Sequence, residues 1–361
     1  MAVSAPPPAR KGRGAIGNPT PRYEPHAREP VDDGWWHEED VPARGTTVTD
    51  EAARQVISRN ISPDIPFDRS INPYRGCEHG CVYCFARPSH AYLGLSPGLD
   101  FETRLFAKPA APRLLAEELH RSGYRPRPIM LGANTDPYQP VERRREITRG
   151  ILDVLASFNH PVAIATKSAL VVRDLDILAP MAERRLVSVG ISLTTLDPQL
   201  ARVMEPRASS PQRRLDAMRT LAGAGVPISA MTAPLIPLIN DHELERLLEA
   251  AATAGATGAS YVLLRLPLEL KGLFSEWLKA HYPDRAERVL NRLRDCRDGQ
   301  LYVADWGTRM KGTGEYAALI GRRFALATRR LRLDQAGPGA HALDCSQFRP
   351  PPRAGEQLRL L

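Results

Sequence analysis

The sequence predicts an α/β fold built on a partial barrel of about six β/α units. Short apolar runs alternate with amphipathic stretches from about residue 65 to residue 266. Apolar strands that lack an alternating polar face are typical of parallel sheets covered by helices. The chain of 361 residues is also 43% hydrophobic, which is enough for a sizeable core in one large or two ordinary domains.

Six strands are predicted, one just before Cys77 and five at the recurring apolar runs. These runs lie at residues 128–131, 162–165, 186–189, 226–230 and 261–264. The segments that follow or end the strands are the cysteine run, NTDPYQP (134–140), TKS (166–168), SLTTLD (192–197) and TAPLIP (232–237). Because the loops after the strands of such barrels carry the chemistry, we expect these segments to gather at one mouth.

The intervening helices are predicted from apolar spacing and from capping residues. After Glu142, apolar residues recur at helical spacing as far as Phe158. Ser210 is an N-cap residue before Pro211 at the first helical position, and we expect Asp241 to cap the next helix. Beyond residue 270 the pattern is mainly helical, with segments at 274–281, 284–296 and 314–328.

The chain divides into three predicted parts. Residues 1–60 are expected to form a largely disordered, basic and proline-rich tail with one segment docked on the core. Residues 61–270 form the core, and residues 271–361 form a mainly helical C-terminal extension. The tail carries a basic patch of Arg10, Lys11 and Arg13 and an apolar pair, Trp35 and Trp36. A nucleic-acid-binding arm is the alternative interpretation of the tail.

Charge and cysteine content limit the class of protein. The net charge of +8 favours an anionic partner such as nucleic acid or a phosphorylated metabolite. Five cysteines, three of them within eight residues, favour metal binding in a reducing compartment over a disulfide framework. The N-terminus lacks an apolar signal core, and no apolar run approaches the roughly 18 to 20 residues that span a bilayer. We therefore expect a cytoplasmic protein with no membrane partner.

The strongest motif is the run GCEHGCVYCFARP at residues 76–88, in which Cys77, Cys81 and Cys84 are spaced C-x3-C-x2-C. Protein-bound iron–sulfur cubes normally take four thiolate ligands, so three thiolates leave one iron atom open to another ligand. One alternative is a zinc site, which usually needs four ligands and could be completed by His79 or His90. A simple electron-transfer cluster is the other alternative.

This spacing, with the aromatic Tyr83 just before the last cysteine, resembles the signature of the radical S-adenosylmethionine (SAM) superfamily. The strings TDPYQPVE (135–142), ATKS (165–168) and GISL (190–193) are similar to those of its spore photoproduct lyase-like branch. The likeness runs from about Ser70 to Leu266. It implies that the predicted barrel is a partial (β/α)6 radical SAM barrel.

The resemblance implies that Cys77, Cys81 and Cys84 hold a [4Fe-4S] cluster whose open iron binds SAM. An external one-electron reductant would then drive cleavage of SAM to a 5′-deoxyadenosyl radical, which abstracts hydrogen from a substrate. The substrate is unknown, and nucleic acid is a candidate. The competing interpretation, which follows from the net charge and the basic tail, is a metal- or cluster-containing nucleic-acid-binding protein without radical chemistry.

The same resemblance implies which residues contact SAM. In the loop after the second strand, Asn134, Thr135 and Asp136 would hold the methionine amino group, with an ordinary capped turn as the alternative. Lys167 would pair with the SAM carboxylate, or else be a solvated loop lysine. Ser192 would hydrogen-bond the ribose or the carboxylate, or else be satisfied by its own backbone.

Further segments are expected at the same mouth. By the resemblance, Tyr83 would lie against the adenine. Arg207 could clamp an anion with its planar fork or form a structural ion pair. The segment 232–237 would be an apolar wall beside the adenosine or plain packing.

The chain departs from the family in one respect. Spore photoproduct lyases return a hydrogen atom to the product radical from a cysteine, and this chain has no cysteine between Cys84 and Cys296. We expect Cys296 and Cys345 to be inert thiols. Tyr138 is the alternative hydrogen donor.

Overall fold

The computed structural model describes residues 11–26, 45–334 and 343–352. In chain order, its strands are β1 (Thr47–Asp50), β2 (Ser58–Arg59), β3 (Arg69–Ile71), β4 (Tyr74–Arg75), β5 (Arg104–Ala107), β6 (Ile129–Leu131), β7 (Val162–Thr166), β8 (Val187–Ser192), β9 (Ile228–Leu235) and β10 (Gly258–Leu263). Its α-helices are α1 (Asp100–Thr103), α2 (Ala111–Leu119), α3 (Glu142–Arg145), α4 (Ile147–Ser157), α5 (Leu175–Glu183), α6 (Pro198–Met204), α7 (Pro211–Gly223), α8 (Leu244–Thr253), α9 (Leu270–His281), α10 (Ala286–Asp295) and α11 (Gly314–Arg330). Short 3-10 helices lie at Arg87–Leu93, Ala169–Asp174 and Asp241–Glu243.

A seven-stranded sheet with the order β10-β9-β8-β7-β6-β3-β2 forms the centre of the fold. Its strands from β3 to β10 pair in parallel, while β2 runs antiparallel to β3 at one edge. Six parallel strands with helices between them confirm the predicted α/β core of β/α units. A second sheet, with the order β1-β5-β4, was not predicted.

Apolar side chains on the parallel strands build the core. Ile164, Val189 and Ala230, on three neighbouring strands, are all buried, and Leu155 of α4 and Met218 of α7 belong to the same cluster. Full burial of a side chain of leucine size contributes about 1.5–3 kcal/mol. The helices are therefore held on the sheet mainly by apolar contact, and the strands can end in polar loops at the mouth.

The C-terminal extension is helical, as predicted, and it also reaches the far end of the barrel. Helices α9, α10 and α11 cover the three predicted segments. Residues 343–352 then pack beside the starts of β7 and β8, where the N–H groups of Asp344 and Arg349 donate to the carbonyls of Arg185 and Phe158. None of the helices in the described ranges is both long and apolar enough to cross a membrane.

One predicted helix cap is confirmed and one is wrong. Helix α7 begins at Pro211, and the Ser210 hydroxyl accepts a hydrogen bond from the backbone of Arg213 at 3.4 Å. By contrast, Asp241 lies in a 3-10 turn that precedes α8. Its carboxylate accepts hydrogen bonds from the Leu238 N–H and the Tyr316 hydroxyl instead, because a partner on α11, remote in the sequence, competes for it.

The edges of the seven-stranded sheet, β2 and β10, do not pair with each other, and two loops cover the seam between them. The Asp64 carboxylate accepts a hydrogen bond from the Gly307 N–H at 2.7 Å and forms an ion pair with Arg309. The neighbouring Met310 carbonyl accepts from the Leu263 N–H at 2.9 Å. Loops 60–68 and 302–312 therefore close the barrel with polar contacts instead of a strand ladder.

Residues 11–26, which the sequence predicts as part of the tail, include a segment docked on the cysteine loop. Ala15 and Ile16 are buried. The N–H groups of Gly14 and Ala15 donate to the two carboxylate oxygens of Glu102, at 3.1 and 2.8 Å. A Cβ at Gly14 would lie 1.8 Å from the Gly80 carbonyl oxygen, so the two backbones are in direct contact.

Another part of the predicted tail also pairs with the core. Strand β1 forms a parallel ladder with β5, and β2 pairs with β3. Arg10, Trp35 and Trp36 lie outside the described residues.

Replacing Gly14 with alanine is expected to lower the free energy of unfolding by about 1–3 kcal/mol, because the added methyl group forces two packed backbones apart. The matched control is Gly45→Ala, since a Cβ at Gly45 meets nothing within 4 Å. Urea unfolding of both variants checks this. Equal stability of the two variants would show that the docked segment contributes little.

Candidate active site

The three cysteines lie on one loop between β4 and the 3-10 helix at Arg87–Leu93. Cys77 and Cys81 are buried and Cys84 is half-buried. The Cys77 N–H donates to the Phe101 carbonyl at 2.9 Å, and the Cys84 N–H donates to the Cys81 carbonyl at 3.2 Å. The loop is therefore shaped by its own turns and by a contact with α1.

A fully buried arginine holds this loop from within. Arg87 donates to the carbonyls of Gly80 and Cys81 at 3.0 and 2.8 Å, and to that of Gly98 at 2.9 Å. It also pairs with the carboxylate of Glu102. Because a guanidinium has five fixed donors, this one side chain holds the backbone on both sides of the Gly80–Cys81 peptide in place.

The surroundings of the thiols penalise a negative charge unless a cation is bound. Burial raises the pKa of all three thiols. Lys167 opposes this effect at Cys81 and Cys84 by lowering their pKa. Backbone hydrogen bonds from Asp136 to Cys77, and from residues 86 and 87 to Cys84, act in the same direction. The thiols are thus arranged to become thiolates when a metal centre neutralises them.

This donor set fits a cluster better than a single metal ion. Each thiolate of an iron–sulfur cube binds a different iron atom, so the three need not converge on one point. In the part of the chain that the structure describes, no three His, Cys, Asp or Glu side chains are grouped to hold a metal ion. The two histidines considered for a zinc site have other neighbours: His90 Nε2 lies 3.0 Å from the Arg104 carbonyl, and His79 Nδ1 lies 3.3 Å from Asp136.

The loop after β6 carries the three residues expected to hold the SAM amino group, and their side chains differ in exposure. Asn134 is exposed, and its N–H donates to the Asn72 side chain at 2.9 Å. Thr135 is buried, and its hydroxyl donates to the Tyr74 carbonyl at 3.0 Å. Of these two side chains, that of Asn134 is the one turned to solvent at the mouth.

Asp136 links three elements of the site. Its carboxylate accepts hydrogen bonds from the Thr166 hydroxyl and the Lys167 N–H, both at 2.7 Å, and from the Tyr138 N–H at 2.9 Å. Burial would raise the pKa of this carboxyl, but His79 and the hydrogen bonds outweigh burial and lower the pKa to about 2. An ionised Asp136 therefore ties the cysteine loop and the end of β7 to the loop after β6.

Lys167, Ser192 and Tyr83 meet at the mouth, although they come from three different elements. Lys167 Nζ donates to Ser192 Oγ at 3.0 Å and lies 5.7 Å from the centroid of the Tyr83 ring. The Ser192 hydroxyl donates to the Ala233 carbonyl at 3.2 Å, which brings the segment 232–237 to the same place. A cation, a hydroxyl and an aromatic ring thus stand together beside the cysteine loop.

A buried ion pair that the sequence did not reveal supports this group. The Tyr83 hydroxyl donates to Glu205, which also pairs with Arg214. Arg214 in turn donates to the Ser192 carbonyl at 3.0 Å. These residues lie far from Tyr83 along the chain, and no local periodicity marks a charged residue that is buried by tertiary contact. In the sequence, Glu205 lies two residues before Arg207, and this proximity to a predicted site residue is the one local sign of its role.

Arg207 forms the structural ion pair that was one of its two predicted roles. Its guanidinium lies 2.9 Å from the Glu78 carboxylate. The backbone N–H of Arg207 donates to the His79 carbonyl at 3.2 Å. The Glu78 N–H donates to the Gln139 side chain at 2.8 Å. Arg207 therefore links the cysteine loop to the segment after α6.

The remaining thiols and Tyr138 lie away from this group. Cys296 is buried at the C-terminal end of α10 in a separate apolar cluster. Cys345 belongs to the segment 343–352 at the far end of the barrel. Tyr138 is fully buried in the main apolar core. The structure brings none of these groups to Lys167 and Ser192.

Asp136→Asn is expected to destabilise the fold by about 1–3 kcal/mol, because an amide cannot accept all the hydrogen bonds that the buried carboxylate receives. Asn134→Ala, on the same loop but exposed, should leave the free energy of unfolding within about 0.5 kcal/mol of the original. Urea unfolding of the metal-free proteins distinguishes the two. Equal stability of Asp136→Asn and Asn134→Ala would contradict the linking role.

Comparison with known proteins agrees with this geometry. The sequence profile of the Radical SAM superfamily matches residues 71–251. An uncharacterized protein of Mycobacterium tuberculosis is 40% identical over 226 residues, which cover 62% of this chain and 66% of that protein. An uncharacterized protein of Methanocaldococcus jannaschii is 28% identical over 222 residues, which cover 62% of this chain and 79% of the relative. The matched region thus spans less than two thirds of the mycobacterial relative's own length.

Solved structures of spore photoproduct lyase share the fold. One, complexed with dinucleoside spore photoproduct, superposes with a TM-score of 0.57 at 15% identity and covers 79% of both chains. A second, a mutant with bound AdoMet and dinucleoside spore photoproduct, gives a TM-score of 0.52 at 15% identity, over 79% of this chain and 78% of that one. At this identity the likeness describes the fold.

Proposed function

The chain belongs to the radical SAM superfamily, and from that membership we propose an enzyme of the radical SAM type that holds a [4Fe-4S] cluster through Cys77, Cys81 and Cys84. Together with SAM, such a cluster supplies a 5′-deoxyadenosyl radical when an external reductant donates one electron. The radical would abstract hydrogen from a substrate. The reductant and the substrate are separate partners of the protein.

The observation that carries this proposal is the group formed by Lys167, Ser192 and Tyr83 beside the cysteine loop. A lysine ammonium suits the SAM carboxylate, a serine hydroxyl suits a ribose hydroxyl or the carboxylate, and an aromatic ring suits the adenine. Lys167 Nζ lies 3.0 Å from Ser192 Oγ and 5.7 Å from the centroid of the Tyr83 ring, so all three groups are within reach of one small ligand.

In the loop after β6 we assign unequal roles to the predicted SAM contacts. The exposed Asn134 side chain is the group that would meet the SAM ammonium directly, because its carbonyl oxygen is a suitable acceptor. Thr135 and Asp136 would act through position, since their side chains already bond to protein groups. These two would hold the loop against the cysteines and keep water from the site.

Nucleic acid is the substrate class that we favour. A fold relative is complexed with dinucleoside spore photoproduct, and the chain carries a net charge of +8, which favours a polyanion. In the described ranges, no thiol besides those of the cysteine loop lies at the mouth. Hydrogen return by a second protein cysteine is therefore not part of this proposal.

The direct test is anaerobic reconstitution with iron and sulfide, followed by dithionite and SAM. We expect 5′-deoxyadenosine to form, and Cys81→Ala should abolish it because a second open iron leaves the cluster poorly held. Cys296→Ala is the matched control and should retain product formation. A reconstituted protein that binds oligonucleotide but never cleaves SAM would instead support a cluster-containing nucleic-acid-binding protein.

Lys167→Gln is expected to raise the Kd for SAM roughly tenfold to a hundredfold, since a hydrogen bond to a charged group is lost. Lys271→Gln, on the exposed face of α9, removes the same charge away from the site and should leave the Kd unchanged. Equilibrium binding of radiolabelled SAM to the reconstituted proteins measures both. Equal affinities of the two variants would refute the role assigned to Lys167.

A further inference from the structure

Arg265 stands at the rim of the mouth, two residues beyond the end of β10. Its guanidinium carbon lies 5.1 Å from the centroid of the Phe85 ring, and Phe85 directly follows Cys84 in the cysteine loop. Arg265 and Phe85 therefore join the last strand of the barrel to the cysteine loop, on the side of the seam between β2 and β10.

This guanidinium has no carboxylate partner among the described residues. Its neighbours are the Met310 sulfur and the Tyr302 hydroxyl, both at 3.5 Å, and its Nε is buried without a hydrogen-bond partner. The nearby carboxylate, Asp64, is engaged by Arg309 and by the Gly307 N–H. Buried guanidinium donors are normally bonded, so the unpartnered Nε and the long 3.5 Å contacts of the other two nitrogens mark Arg265 as a candidate to bind an anion.

Other arginines around the mouth make the contrast clear. Arg207 pairs with Glu78, and Arg214 pairs with Glu205. In both cases the partner is a buried carboxylate, and the arginine acts as a structural link. Arg265 instead stacks on an aromatic ring and leaves its polar edge to weak neighbours, an arrangement that suits a phosphate.

Exposed aromatic side chains lie on both segments that contact this cation. Phe85 is 44% exposed and Trp306 is 57% exposed. Trp306 belongs to loop 302–312, which reaches Arg265 through Tyr302 and Met310. Lys311, which follows Met310 in the chain, is exposed, and its ammonium lies 5.7 Å from the centroid of the Tyr261 ring on β10. Exposed rings of this kind offer faces for stacking, and the neighbouring cations favour a negatively charged partner.

We propose that this seam patch, formed by Phe85, Arg265, Tyr302 and Trp306, binds single-stranded nucleic acid, with the nearby Lys311 as a further cation. Arg265 takes a phosphate, and the exposed rings of Phe85 and Trp306 stack bases. Single strands are favoured over a duplex because stacking needs unpaired base faces. The proposal deepens the proposed function, on which it rests, by giving the favoured substrate class a binding surface that leads to the cysteine loop.

The probe is a fluorescein-labelled oligothymidylate of ten nucleotides, titrated anaerobically against the reconstituted protein and followed by fluorescence anisotropy. Trp306→Ala should weaken binding roughly fivefold to a hundredfold, the range found for loss of one stacked base. Arg265→Gln should weaken binding roughly tenfold to a hundredfold, the range for loss of a hydrogen bond to a charged group. The matched controls are Arg329→Gln and Leu326→Ala, both exposed on α11. These should change the Kd by less than about twofold, since one remote charge adds little.

Two competitors separate nucleic acid from other anionic or apolar partners. Unlabelled oligothymidylate should displace the probe, whereas a ten-residue polyglutamate at equal charge should not, because it has no rings to stack. Effective competition by polyglutamate would overturn the proposal, as would equal weakening by Arg265→Gln and Arg329→Gln. Because Trp306 is 57% exposed, Trp306→Ala tests the same patch with less risk of misfolding than Arg265→Gln.

Measurements of SAM cleavage and oligonucleotide binding on the same preparations distinguish failure of one proposal from failure of the other. Formation of 5′-deoxyadenosine without any oligonucleotide binding at low salt overturns the seam patch and leaves the radical SAM activity standing. Tight, Trp306-dependent oligonucleotide binding without SAM cleavage supports the seam patch and counts against the proposed activity.

Discussion

The buried pair of Arg87 and Glu102 is the contact on which the site depends. A charged pair removed from water is costly unless every donor and acceptor is used, and here the pair is fully engaged. Arg87 binds carbonyls of the cysteine loop, while Glu102 receives the N–H groups of Gly14 and Ala15. A single ion pair thus connects the cysteine loop to α1 and to the N-terminal segment, and it fixes the backbone that carries the thiols.

Asp136 continues the network of buried polar contacts across the mouth. Through His79 it contacts the cysteine loop, and through the Lys167 N–H it holds the end of β7. The side chain of Lys167 then reaches Ser192 on β8. The parallel sheet brings the strand ends together, and these polar contacts fix the positions of Lys167 and Ser192 at the mouth. Preorganisation of this kind is what a site needs to hold a reactive ligand in one orientation.

Much of the fold was predictable because it follows from local pattern. The apolar runs found five strands to within a few residues, and Ser210 marked the start of α7. The cysteine spacing identified the loop at which we propose the cluster. What could not be predicted depends on tertiary contact. Glu102, Glu205 and Arg214 are charged residues with no periodic signature, and each is buried by a partner on another element.

The N-terminal segment shows the same limit. Its proline, glycine and charge content predicts little regular structure, and residues 11–26 indeed contain no strand or helix. Composition could not reveal that Gly14 touches the Gly80 carbonyl or that its N–H meets Glu102. Likewise, Asp241 is of the residue type that caps helices, but its carboxylate accepts a hydrogen bond from the Tyr316 hydroxyl on α11 instead.

Electron paramagnetic resonance of the reduced, reconstituted protein, recorded before and after addition of SAM, shows whether one iron of the cluster is open to SAM. Three thiolates leave one iron open, so SAM should bind that iron and change the g values of the reduced cluster. A spectrum that is identical with and without saturating SAM would mean that the fourth iron is already ligated, and the account would be wrong.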